Sequence, residues 1–140
     1  MIQIIDETGA APLNGLQSLA DTIASSLELR GDVTIRFSTE SESRELNKRY
    51  RGIDAPTDVL SFPIQEEFPE GFYCGDILIC LPLAQEQAME ACHSLLLEVQ
   101  ILILHGLLHL AGYDHETDNG QMEQLQRELI ASLLPVTDHT

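Results

Sequence analysis

Residues 94–112 read SLLLEVQILILHGLLHLAG, and no other stretch of the 140-residue chain limits its fold so tightly. Ser94 is a helix N-cap residue, and Gly112 suits the left-handed position that ends a helix. The apolar run between them is too long for a strand. Glu98, Gln100, His105 and His109 interrupt it, which marks a buried helix rather than a membrane span. A helix this apolar on nearly every side is a core element.

The remaining segments supply what packs around it. IQIID is a short β-branched run that suits a strand, and Leu16, Leu19, Ile23 and Leu27 follow at helical spacing. DVTIRFS alternates Val33, Ile35 and Phe37 with polar residues, the pattern of a half-buried strand. Thr39 and Glu42 form a capping box for a largely polar helix that carries Leu46 and Tyr50. RGIDAP is turn chemistry, TDVLSFPI is expected as a strand closed by Pro63, and QEEFPEGFYC as a loop. GDILICL is a strand with Gly75 at its start, and Pro82 suits the first turn of a helix, PLAQEQAMEACH. Asp118 and Gln121 make a second capping box, after which Met122, Leu125, Leu129 and Leu133 stripe a last helix that stops before Pro135. The order βαβα, two strands, then three helices predicts an α+β fold. We expect a mixed sheet of about four strands packed with about five helices, in a single domain over residues 1–140.

Three of the five histidines fall within HGLLHLAGYDH, residues 105–115. His105 and His109 are four apart on the apolar helix and project from one face, one turn above the other. Gly112 ends that helix and lets the chain turn back, so His115 can approach the same point. Packing alone would use leucine at such places, and the spacing points to a shared metal ion. Three neutral imidazoles at about 2.0–2.1 Å leave a tetrahedral zinc one open corner, the mark of a catalytic site. Nickel and copper also take nitrogen ligands. His93 and His139 show no such geometry. The pattern matches the metzincin motif HExxHxxGxxH at every fixed position but the second, where Gly106 stands in place of the glutamate base. Glycine takes no proton, so peptide hydrolysis by that route is disfavoured. A phosphodiester instead needs its phosphoryl charge neutralised, which a metal and an arginine can do.

Charge complicates a polyanionic substrate, because 23 acidic residues against 7 basic ones give a net charge of −16. Four of the basic residues, Arg44, Lys48, Arg49 and Arg51, nevertheless lie within eight positions, and Arg44, Lys48 and Arg51 share one helix face. A local cationic patch steers a polyanion within a Debye length, and the competing reading is a solvated face with acidic partners. Cys74, Cys80 and Cys92 form no CxxC pair and are expected as reduced thiols. The amino terminus, MIQIIDETGA, has no basic segment followed by a long apolar one, so no secretory signal is expected and the protein is assigned to the cytoplasm, away from membranes.

HGLLHLAGYDH at 105–115, LNKRYRGIDAPTDVLSFP at 46–63 and GDILIC at 75–80 together resemble the bacterial YbeY family, rRNA maturation factors described as metal-dependent endoribonucleases. The resemblance runs from Leu46 to the last helix. It implies zinc on His105, His109 and His115, carried by a zincin-like helix, with Arg51 as the functional arginine beside the metal. It also implies single-stranded RNA as substrate, notably the 3′ end of 16S rRNA, and roles in 30S maturation and ribosome quality control. On this basis Arg44, Lys48, Arg49 and Arg51 are candidate substrate-binding residues, with Arg51 holding the non-bridging phosphate oxygens. Asp114 is the candidate catalytic carboxylate, with an imidazole-orienting role as the alternative. Asp58 and Asp76 are open to the same two roles or to capping turns. Expected partners are RNA and the 30S subunit or its basic ribosomal proteins, with no DNA. Two other readings remain: a different zinc hydrolase, such as a peptidase with its base elsewhere, and a non-catalytic ribosome assembly factor with a structural metal.

Overall fold

A computed structural model of the chain describes residues 1–114 and 117–133. The elements run β1 (Ile2–Ile5), α1 (Leu16–Ser26), β2 (Asp32–Ser38), α2 (Glu40–Arg51), β3 (Val59–Phe68), β4 (Gly71–Cys80), α3 (Leu81–Ala91), α4 (Leu95–Leu110) and α5 (Gln121–Leu133). The four strands form one mixed sheet in the order β1-β2-β4-β3, with β1, β2 and β4 parallel and β3 antiparallel at the edge. This is the α+β architecture that the element order predicts.

One sheet face carries the core. Val33, Ile35 and Phe37 of β2 alternate inward with Ile77 and Ile79 of β4, and they bury against Leu16, Ala20 and Ile23 of α1 and against α4. Ten of the sixteen residues of α4 are buried, as an all-round apolar helix requires. Ser94 Oγ accepts the Leu97 amide at 3.0 Å and starts α4, and Gly112 follows its end at φ 99°. The other sheet face is covered only in part, by the polar helix α2 packed against β4 and α3.

Three local details depart from expectation. The segment read as a loop, 65–74, is instead the far half of a β-hairpin, in which Phe68 pairs with Gly71 and Glu67 with Phe72. Pro63 does not close its strand. The ladder is irregular between Pro63 and Glu66, and Gln65 takes a positive φ of 54° there, so an edge strand absorbs the proline at a bulge and continues. The capping boxes are also incomplete. Thr39 Oγ1 accepts the Glu42 amide, but the Glu42 carboxylate turns to Arg36 at 2.7 Å instead of back to Thr39. Asp118 accepts the amides of Gly120 and Met122, while Gln121 Oε1 accepts that of Asn119, so both act just ahead of α5.

Candidate functional site

His105 and His109 lie on the half-buried side of α4, where the helix passes edge strand β3. Their Nε2 atoms are 3.1 Å apart and the rings meet edge to face, 4.7 Å between centroids. Two imidazole nitrogens at that separation, each about 2.0–2.1 Å from a zinc ion, subtend roughly 100° at it, near the tetrahedral angle. The donor pair therefore fits one metal ion. Among the described residues no three His, Cys, Asp or Glu side chains converge on such a point. The third expected ligand, His115, lies outside the described residues, as does His139.

Gln126 of α5 is a site residue that motif reasoning missed. Its Oε1 is 3.0 Å from His105 Nδ1, so the ring donates its Nδ1 proton to the amide and keeps the Nε2 lone pair toward the cleft. This is the orienting contact that metal-bound imidazoles ordinarily have. The only sequence sign of it is a polar residue one position past Leu125 on an otherwise apolar-striped helix.

Gly106 has a packing cause. A Cβ added there would stand 2.9 Å from both Cδ1 and Cγ2 of Ile77 and 3.1 Å from its Cγ1, so α4 and β4 touch where a peptidase motif would place its glutamate. The contact is closed by Ser61 of β3, whose Oγ donates to the Gly106 carbonyl at 3.2 Å.

The two imidazoles open into a cavity of about 610 Å³ lined also by Arg51, Asp58 and Asp114. Arg51 is the last residue of α2, where Gly52 caps the helix in the left-handed conformation and sends the chain back along the sheet. The returning loop is fastened by two buried polar side chains one turn apart on α2. Ser43 Oγ accepts the Thr57 amide at 3.0 Å and donates to its carbonyl at 2.8 Å, while Asn47 Nδ2 donates to Ala55 O at 2.8 Å. These bonds place Thr57 and Asp58 at the cavity rim. Asp58 Oδ1 accepts the Val59 amide at 2.8 Å.

The basic stretch divides. Arg44 pairs with Asp54 through Nε at 2.7 Å, and this hydrogen bond holds the Asp54 carboxyl below the usual carboxylate range. Arg49 pairs with Glu45 at 3.1 Å, one turn back on the same helix. Of the four, Arg51 alone lines the cavity beside the histidines. Asp76 does not line that cavity; it lies on β4 under α2, where it accepts a hydrogen bond from the Tyr73 hydroxyl. His93, assigned no role, instead holds the buried Glu98 at 2.7 Å and joins the end of α3 to the first turn of α4. Cys74 and Cys80 are buried and Cys92 is exposed. Among the described residues no single helix is long and apolar enough to cross a membrane.

An α+β sheet with a helix-borne imidazole pair opening beside its edge strand, and an arginine at the rim, defines the structural class. The chain belongs to the YbeY family: the family profile described as Endoribonuclease YbeY matches residues 6–134. A protein named Endoribonuclease YbeY from Helicobacter pylori (strain P12) is 40% identical over 138 residues, covering 98% of this chain and 95% of that one. One of the same name from Aliarcobacter butzleri (strain RM4018) is 43% identical over 115 residues, covering 82% and 79%. Among solved structures, the solution structure of TM1509 from Thermotoga maritima superposes with a TM-score of 0.65 at 34% identity, covering 95% of this chain and 89% of that one.

Proposed function

We propose that the chain is an endoribonuclease that cuts single-stranded RNA in the cleft between α4 and β3, with one zinc ion held by His105, His109 and His115. Its proposed place of action is the cytoplasm, on rRNA, with the 3′ end of 16S rRNA in the maturing 30S subunit as substrate and ribosome quality control as a further setting. One observation carries the reading: the Nε2 atoms of His105 and His109 stand 3.1 Å apart in a cleft that Arg51, Asp58 and Asp114 also line. Relatives sharing most of the chain bear the name endoribonuclease, which agrees with it.

A bound metal of this kind supplies Lewis acidity toward a water molecule and a phosphoryl oxygen. The protein's own groups do the rest. Gln126 fixes the His105 ring with Nε2 toward the cleft. Arg51 offers a planar fork of donors that matches two non-bridging phosphate oxygens. Asp58 and Asp114 are the cleft carboxylates able to take a proton from the attacking oxygen. Ser43 and Asn47 keep the rim loop in place while the strand is bound. A peptidase reading loses its base, because the helix position that would carry it is closed by Ile77.

The test is cleavage of RNA oligonucleotides and of peptides by purified, zinc-loaded protein, with chelator and His109→Ala controls. RNA cleavage is expected, abolished by either control and restored to the wild type by zinc, with peptides untouched. Arg51→Ala is expected to lower kcat by about a hundredfold or more, the usual loss of a charge-stabilising donor. RNA cleavage that persists in His109→Ala overturns the proposal. Normal 16S rRNA 3′ ends in cells carrying Arg51→Ala would favour the assembly-factor reading instead.

A further inference from the structure

A second cavity, of about 750 Å³, lies on the sheet face that α2 leaves half covered, and it meets the histidine cleft along β3 through Arg51, Leu60, Ser61 and Pro63, which line both. We infer that this cleft is a guanine-selective subsite, holding one unpaired base of the RNA whose phosphate lies at Arg51. The inference rests on the ribonuclease reading above and names a substrate determinant for it.

Three observations carry it. Volume is the first, since the cavity falls in the range of ordinary small-molecule sites, about 300–1,000 Å³. The second is an aromatic platform. Tyr50 is 62% exposed, yet its ring is braced edge-on by Phe62 at 5.2 Å between centroids, so a large aromatic surface is held in place at the cavity wall. Unpaired bases are bound by stacking on such rings, whatever their sequence.

The third is the floor. Thr34, Asp76 and Phe62 stand side by side across three strands, because Asp76 is in register with Thr34 on one side and Phe62 on the other. Tyr73 donates to Asp76 Oδ1 and lies 2.6 Å from Thr34 Oγ1, which fixes the carboxylate in orientation. Burial, and then that hydrogen bond, pushes the Tyr73 phenol above its ordinary value, so it stays a donor. A carboxylate has about four acceptor positions, and among the described residues one of those of Asp76 is used. It repels phosphate, so the backbone does not belong here, whereas a base edge with two adjacent N–H donors does. Guanine offers such a pair at N1 and N2. Uracil sets a carbonyl on either side of its single N–H, and cytosine and adenine offer an amino group beside an acceptor nitrogen.

The experiment measures binding of short single-stranded RNA oligonucleotides to zinc-free protein, so that nothing is cut, with one guanosine kept, replaced by inosine, which lacks the N2 amino group, or made abasic. Cleavage by the zinc-loaded protein is measured in parallel. In the wild type, the abasic oligonucleotide should bind about five- to a hundredfold more weakly, the usual worth of one stacked base. In Tyr50→Ala the intact oligonucleotide should fall most of the way to that level, and the abasic change should cost correspondingly less. In Asp76→Asn the preference for guanosine over inosine should disappear. Tyr50 is on the surface, so its variant folds even where the Asp76 variant fails to. If RNA is cleaved, but Tyr50→Ala weakens intact and abasic oligonucleotides by the same factor, the subsite is wrong and the ribonuclease stands. If RNA is neither bound nor cleaved, both fall together.

Discussion

Replacing Gly106 by alanine tests whether its absence of a side chain is a packing requirement. The added Cβ would lie at 2.9, 2.9 and 3.1 Å from Cδ1, Cγ2 and Cγ1 of Ile77, against a comfortable separation of about 3.5–4.0 Å. Cδ1 alone could swing aside. Cγ1 and Cγ2 are both fixed to the branched Cβ, and Ile77 is 1% exposed, so relief requires β4 or α4 itself to shift. Overpacking of this kind costs about 1–3 kcal/mol, and contact with all three atoms argues for the upper half of that range. The gain in helix propensity from glycine to alanine offsets about 1 kcal/mol. The net expectation is a loss of about 1–2 kcal/mol, read by urea unfolding in chelator as a midpoint lower by roughly 0.5–1 M for a slope near 2 kcal/mol/M. In an Ile77→Ala background all three opposing atoms are gone, and Gly106→Ala should stabilise by about 1 kcal/mol. Ile77→Val, which removes only Cδ1, should fall between. A stabilising Gly106→Ala in the wild type, or the same effect in all three backgrounds, would refute the contact as the reason for this glycine.

Four further outcomes are expected. His93→Ala leaves the buried Glu98 carboxylate without its imidazole and should cost about 1–3 kcal/mol in the same unfolding assay. Gln126→Leu removes the acceptor from His105 Nδ1 and should weaken zinc binding by about ten- to a hundredfold in competition titrations while leaving the circular dichroism spectrum unchanged. A thiol reagent should modify Cys92 rapidly in the native protein and reach Cys74 and Cys80 only on unfolding. Burial pushes those two thiols up, so the stability they confer is present below the unfolded thiol value of about 8.5 and is lost as pH rises past it. Arg44→Ala and Arg49→Ala should leave the salt dependence of RNA binding unchanged, since neither residue lines the histidine cavity. Arg51→Ala should make the slope shallower by about 0.7, one phosphate contact to a single strand.

What the sequence made legible was whatever is written in short-range periodicity. The apolar run with its Ser94 cap and terminal Gly112 could only be the core helix, and a four-residue spacing on it put His105 and His109 on one face. The hairpin from Gln65 to Cys74 was illegible for the converse reason. Beyond Pro63, β3 lies at the sheet edge with Gln65 through Phe68 exposed, so no alternation of apolar and polar residues records its pairing, and a bulge hides the register. Gln126 and Gly106 were illegible in their roles because each depends on a contact across the fold: Gln126 on an imidazole 21 residues away, Gly106 on an isoleucine of the neighbouring strand. Of the two readings of the basic residues of α2, the solvated face with acidic partners describes Arg44 and Arg49, although the partner of Arg44, Asp54, lies in the loop beyond the helix and not at helical spacing.

The two sheet faces answer the difficulty that the net charge of −16 poses for an RNA reading. The face against α1 and α4 is apolar and closed, and two glycines, Gly106 of α4 against Ile77 and Gly75 of β4 against Leu110, bring α4, and so the imidazoles, hard against β4. The face under α2 is open and polar, and its arginines at positions 36, 44 and 49 are each matched by a carboxylate. A polyanion gains little from these three arginines, since each already sits beside a carboxylate. The place where both faces can be reached at once is β3, the strand at the edge, and Arg51 stands over it between the two cavities. Under the proposed reading, a strand of RNA held there would meet one carboxylate through a base and one arginine through a phosphate, and so acidic a chain would then select a nucleic acid at a single crossing point rather than by a long basic groove.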